Sequence, residues 1–337
     1  MIYIEDDRLV IKFPELHPNA GVSIDFKRTL RLPDDGKSHP LPPGFGGFPL
    51  RHIEDFDLGK SEALKKRGGV IMPMFQADAL WLNFHPLVED DDSAEYPIAV
   101  KIGTGKVCAV SGKPWNNKLR KRPQDYLVVP EQPWLDGYNV GDGIIRQFVA
   151  APLGDGATAE EQLSKTADVG GIQIQAFPMK RSSYDKLNKP AQYGDKLLNV
   201  NYSKSIAPPS FMGLAAGGMM RQEITKDPHK MADWDQSLTE RCFVTIANAS
   251  QWMGITGEEP PAPPISASDY TAAGLPWFDY YGADTAAIKG VKSLGGLKPF
   301  QQVYAEQGQS DWASESIEDE KIVIQIGKRP VLDGTWC

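Results

Sequence analysis

The chain has 337 residues, a formal net charge of −8, and 24% charged against 41% hydrophobic residues. This composition excludes global disorder, and the acidic balance opposes general binding to nucleic acid or anionic membrane. There is no apolar run of membrane-spanning length, no secretory signal pattern at the amino terminus, and only three cysteines, Cys108, Cys242 and Cys337, so a soluble cytoplasmic protein is expected.

Residues 2–13 (IYIEDDRLVIKF) read as two strands around a turn at Glu5-Asp6-Asp7. Val22 to Leu32 alternates with period two, setting Val22, Ile24 and Phe26 against Ser23, Asp25 and Lys27, and stops at Pro33-Asp34-Asp35-Gly36. The Pro/Gly-rich stretch to Leu50 reads as an irregular connection, followed by a short helix at 60–66 and strands at 69–72 and 79–84. Glu89 to Glu95 is an acidic loop. Ile98–Ile102 and Lys106–Val110 form a predicted hairpin about Gly103-Thr104-Gly105, and strands follow at 126–129, 144–150 and 171–177.

From Pro178 to Pro209 the periodicity is lost, which marks a polar excursion. The expected organisation is a strand-rich part over 1–178, an irregular excursion over 179–209, and a mixed part with short helices over 210–337, packed on the first. FMGLAAGGMM (211–220) is apolar but Gly-rich, so a small-residue contact or a tight turn suits it as well as a helix. Cys242–Ala247 reads as a buried strand with Asn248 or Ser250 capping the next helix. Short helices are predicted from Ser268 to Gly274 and over 283–293, and a late strand over 321–326. Runs of strands with helices clustered late predict an α+β fold with antiparallel or mixed sheets.

The segment from Val128 to Gly154 combines turn residues, acids and aromatics between two strands, the usual setting for a presented site. Within it, Trp134, Asp136, Tyr138 and Arg146 are the candidate contact residues, with Trp277 and Tyr280 from the aromatic run at 274–282. The opposing reading has Trp134 plugging the core, Asp136-Gly137 closing a turn, and Arg146 paired internally. For catalysis, Glu131 and Asp136 are the candidate acid/base pair, which requires both to converge in one concave site.

Other signatures fail on spacing. Gly103-Thr104-Gly105-Lys106 lacks the full phosphate-loop pattern, Ser111 has no nucleophile-elbow context, and the five histidines lack metal-ligand spacing. No cofactor or metal is therefore predicted. The basic loop 113–122 (KPWNNKLRKR) interleaves Trp115 with cations and is the one candidate for nucleic acid, an unlikely partner for an acidic chain.

RTLRLPDDG (28–36), PMFQADALW (73–81), QPWLDGYNVGDGIIRQFVAAPLG (132–154) and GLPWFDYY (274–281) together resemble a group of uncharacterised bacterial and fungal proteins of similar length. The resemblance implies one complete, soluble unit and transfers no activity, ligand or catalytic residue. The leading expectation is a non-catalytic binding or self-assembly protein that contacts another protein, a second copy of itself or a small polar ligand. The alternatives are a cofactor-free hydrolase or lyase using Glu131 and Asp136, and nucleic-acid binding through 113–122.

Overall fold

The structure is a computed structural model that describes residues 1–56, 62–88, 94–187, 211–263, 265–280, 287–309 and 322–326. β1 (Ile2–Glu5) and β2 (Arg8–Lys12) form the expected hairpin, with Asp6 and Asp7 at positive φ in its turn. β3 (Gly21–Thr29) pairs with β2 and obeys its alternation: Val22, Ile24 and Phe26 enter the core, while Ser23, Asp25 and Lys27 occupy the opposite face. Short strands β4 (Ser38–His39), β5 (Gly44–Gly47) and β6 (Arg51–His52) punctuate the Pro/Gly stretch. Then come α1 (Glu62–Arg67), β7 (Val70–Pro73) and β8 (Ala79–Pro86).

β9 (Ile98–Thr104) and β10 (Val107–Cys108) make the predicted hairpin, but its second arm is short because the chain turns back where Gly112 N donates to Cys108 O. Next are β11 (Leu127–Val129), β12 (Trp134–Leu135), β13 (Gly137–Gly141), β14 (Ile144–Pro152), α2 (Ala159–Ser164), β15 (Ile172–Pro178) and α3 (Arg181–Leu187). After the segment 188–210, which lies outside the described residues, come β16 (Met212–Arg221), β17 (Glu240–Ala247), α4 (Ala249–Thr256), α5 (Ala267–Ala272) and β18 (Trp277–Tyr280). α6 (Lys292–Gly295), α7 (Phe300–Glu306) and β19 (Val323–Ile326) complete the order.

These strands build two layers around one apolar core. The first runs β1-β2-β3-β8-β14-β16, with β5 added at β3, β12 at β8, β13 at β14 and β4 at β16. The second runs β6-β7-β17-β15-β9, with β10 and β11 on the far side of β9. A single pairing, Met212 with Ile246, joins the layers. Leu9, Ile24, Leu82 and Phe148 of the first layer share one cluster with Ile102, Ile174, Val244 and Ile246 of the second, so the layers bury each other's inner faces. Most pairings are antiparallel; β4–β16 and β7–β17 are parallel. The fold is thus strand-rich α+β with its helices mostly late. Both layers draw strands from before and after 188–210. No described helix is long and apolar enough to cross a membrane.

Two expectations are corrected. The stretch 211–220 is a strand, because small residues let β16 lie against close neighbours: a Cβ on Gly213 would meet Thr158, and one on Gly218 would meet Pro33 O. Of the helix predicted over 283–293, the described part is not helical up to Val291, and Gly290 packs its Cα against the backbone of Gly141, where a regular helix has no place. Asn248 caps α4 as expected, with Gln251 completing the capping box, whereas α5 is capped by Ser266, two residues before the predicted Ser268.

Candidate functional site

The outer face of the first layer carries an ordered set of polar and aromatic side chains. Cross-strand partners share a face, so the register writes out the rows: Lys27 with Trp81, Asp25 with Asn83 and Trp134, and Ser23 with His85. The intervening residues, Ile24, Phe26, Leu82, Phe84 and Leu135, point into the core and hold the three strands in place. Trp81, Asn83, His85 and Trp134 are half-buried.

Asp25 is the hub of this face and is only 5% exposed. Its carboxylate lies 2.7 Å from His85 Nε2, 3.1 Å from Lys27 Nζ and 3.3 Å from Arg8 Nε. Burial pushes the carboxyl up, but the His85 hydrogen bond and the Lys27 charge outweigh it and hold Asp25 below its ordinary value. Asn83 Nδ2 lies 2.9 Å from the same His85 nitrogen. Ser23 stands across from His85, so the residue types of a nucleophilic triad are neighbours. The Ser23 hydroxyl is buried and makes no hydrogen bond, however, so neither activation by the imidazole nor access for a substrate is built.

Trp134 continues this strip, and its indole Nε1 donates to Asp136 Oδ2 at 2.7 Å. Asp136 itself is buried; burial drives its carboxyl up to about 7, against the smaller opposing effect of the indole bond. Its backbone N–H donates to Gln222 Oε1, and Gln222 Nε2 donates to Trp134 O, so one glutamine fixes the whole bend. Asp136 therefore does more than close a turn: it anchors the indole beside the Asp25 row.

The remaining predicted residues part company. Glu131 is exposed and lies 3.5 Å from His229 Nε2, sharing no bonded partner with Asp136, so the two acids do not form the proposed acid/base pair. Tyr138 is a core residue and not a contact residue: its hydroxyl bonds Thr104 Oγ1 and Leu214 O, and its ring meets Phe148 edge-on. Arg146 is half-buried, donating to Gly217 O at 3.2 Å, with burial lowering its pKa against the pull of Asp34. Trp277 is fully buried with Leu30, Leu32 and Ile145, which removes it from any contact surface. Tyr280 ends β18, and its side chain lies outside the described part.

The basic loop 113–122 is also built into the fold. Trp115 packs on Gly103 and under the Lys101 ammonium, 5.3 Å from its ring, while Lys121 pairs with Asp227 at 3.1 Å. The indole is thus held against β9, while Lys113, Lys118, Arg120 and Arg122 are exposed. A cleft of about 480 Å³ lies between α2 and α7, and none of the predicted site residues lines it. Its charged groups are engaged internally: Lys298 with Glu306, and Glu161 with the N–H groups of Gly154, Gly156 and Thr158. Among the described residues no set of His, Cys, Asp and Glu is arranged to hold a metal ion.

The four resembling segments meet in space. Arg28 grips Asp78 through bonds of 2.8 and 3.0 Å, joining the first to the second. Gln147 of the third bonds Leu30 O and Leu32 N of the first, and Trp277 of the fourth packs on both. No protein-family model matches this chain, and neither a curated protein nor a solved structure matches it.

Arg8, Asp25, Lys27, Trp81, Asn83 and His85 were absent from the sequence candidates. Their signal was the polar half of two alternating strands, in particular the Trp-x-Asn-x-His run of β8.

Proposed function

We propose that the protein is a non-catalytic binding protein whose contact surface is the outer face of β3, β8 and β12. The observation that carries this reading is the continuous strip of Asp25, Asn83 and Trp134 flanked by Trp81 and His85, facing away from the core. Two half-buried indoles offer apolar faces, while the half-buried Asn83 and His85 offer polar groups beside them, backed by the buried Asp25. Arg8 and Lys27 are both set against Asp25, so its carboxylate is already met within the protein and is not open to a ligand cation. A neutral, polyhydroxylated ring compound matches that mixture: its C–H face lies on indole and its hydroxyls bond the polar row.

Titration of the full chain with neutral oligosaccharides, followed by tryptophan fluorescence, tests the assignment. A saturable change is expected, weakened at least tenfold in Trp81→Ala with an unchanged far-ultraviolet circular dichroism spectrum. Absence of a saturable change with every saccharide refutes the ligand class.

A further inference from the structure

The loop 113–122 takes no part in the strip on β3, β8 and β12, and it is strongly basic in an acidic chain. It is pinned from beneath. The buried Lys101 ammonium donates to Lys118 O and to Asp125 Oδ2, both at 2.7 Å, and Asp125 Oδ1 accepts the backbone N–H of Arg120 at 2.7 Å. Leu119 is buried, and its N–H donates to Gln236 Oε1 at 3.0 Å. At the start of the loop Trp115 N donates to Lys106 O, and Cys108 N donates to Lys113 O. The backbone is therefore fixed before any partner arrives, which lowers the entropy cost of binding.

Fixing the backbone in this way sorts the side chains. Lys118, Arg120 and Arg122 are exposed, whereas Leu119 and Lys121 between them turn inward, Lys121 onto the buried Asp227 at 3.1 Å. Lys113 is exposed as well. Two neighbouring segments bring further exposed cations: Arg241 donates to Asn117 Oδ1 at 3.3 Å, and Lys226 follows Thr225, whose carbonyl accepts from Gln124 Nε2 at 3.1 Å. Asp125 and Asp227, which touch the loop, are buried and already paired with Lys101 and Lys121. In the same loop Trp115 is half-buried: Gly103 and the Lys101 ammonium cover part of its ring, and the rest is exposed.

We infer that this surface binds single-stranded nucleic acid. The row of outward cations meets the repeated charges of a phosphate backbone, and the exposed part of the indole gives a base a surface to stack on, a contact every base can make. An acidic peptide would satisfy the cations but has no base to set on the indole. The net charge of −8 repels a polyanion from the rest of the molecule, so the contact is confined to this patch.

Anisotropy of a fluorescein-labelled, mixed-sequence single-stranded oligonucleotide, titrated with the full chain at several salt concentrations, tests this. Binding at low salt is expected, with log K falling against log salt at a slope of about −3 to −4, the value for roughly four to six neutralised phosphates. Arg120→Glu keeps the backbone bond to Asp125, so it should fold, weaken binding at least tenfold and flatten that slope. Trp115→Leu should weaken binding about tenfold and leave the slope unchanged, because it removes stacking and no charge. Trp81→Ala should bind the oligonucleotide normally, which separates this surface from the saccharide strip. No binding at low salt, equal binding of a poly-glutamate of the same charge, or indifference to both Arg120→Glu and Trp115→Leu overturns the proposal.

Discussion

Replacing Asp136 with asparagine isolates the energetic cost of the acid that anchors the Trp134 indole. In the folded chain burial raises this carboxyl to about 7, from an ordinary value of 3.8. Below the ordinary value both folded and unfolded chains hold the proton, and the group contributes no penalty. Between the two values the unfolded chain releases its proton while the folded chain keeps it, so stability falls as pH rises. Three pH units at about 1.4 kcal/mol each amount to roughly 4 kcal/mol lost by slightly alkaline pH. The amide introduced by Asp136→Asn stays neutral and still offers an oxygen to the indole N–H, at a cost of about 1 kcal/mol for the weaker acceptor. The variant should therefore be more stable than the parent by roughly 2–3 kcal/mol at pH 8, and equal or slightly less stable at pH 4. Urea unfolding of both proteins at the two pH values provides the check, since the other carboxylates cancel in the difference. A stability difference that is the same at both pH values would show that Asp136 does not titrate as burial requires.

Other perturbations probe the frame around the strip. Arg28→Met leaves Asp78 buried and unpaired, and should cost about 3–5 kcal/mol in denaturant unfolding; adding Asp78→Leu should recover most of it. An unchanged midpoint in the single variant would contradict a buried Arg28–Asp78 pair. Gly290→Ala puts a methyl group into the Gly141 backbone and should lose roughly 1–3 kcal/mol by the same assay. A neutral result would mean that 287–291 does not pack on β13.

The layer architecture could be read in advance wherever alternation was clean. In β3, buried on both faces, the Val22, Ile24, Phe26 pattern named the side that enters the apolar core, and β15 did the same with Ile172, Ile174 and Ala176. β16 could not be read this way, because its glycines and alanines carry no alternation; their role is the close approach of Thr158, Val149 and Pro33, a tertiary fact. The site divided along the same line. Trp134 and Asp136 are two residues apart, so their bond is local and was within reach. Asp25 and His85 are 60 positions apart and meet only through the β3–β8 register. Tyr138 and Trp277 misled for a related reason: an aromatic between turn residues has the same composition whether it faces solvent or fills a core.

Hydroxyl-radical footprinting with mass spectrometry, with and without a bound oligosaccharide, tests the contact surface most directly. In the free protein Trp81, Trp134 and His85 should oxidise, while the buried indoles Trp234, Trp252 and Trp277 stay protected. Ligand should then shield Trp81, Trp134 and His85 together. Uniform oxidation of these five of the eight indoles, or shielding that falls elsewhere and spares the β8 residues, would contradict the placement of the binding strip.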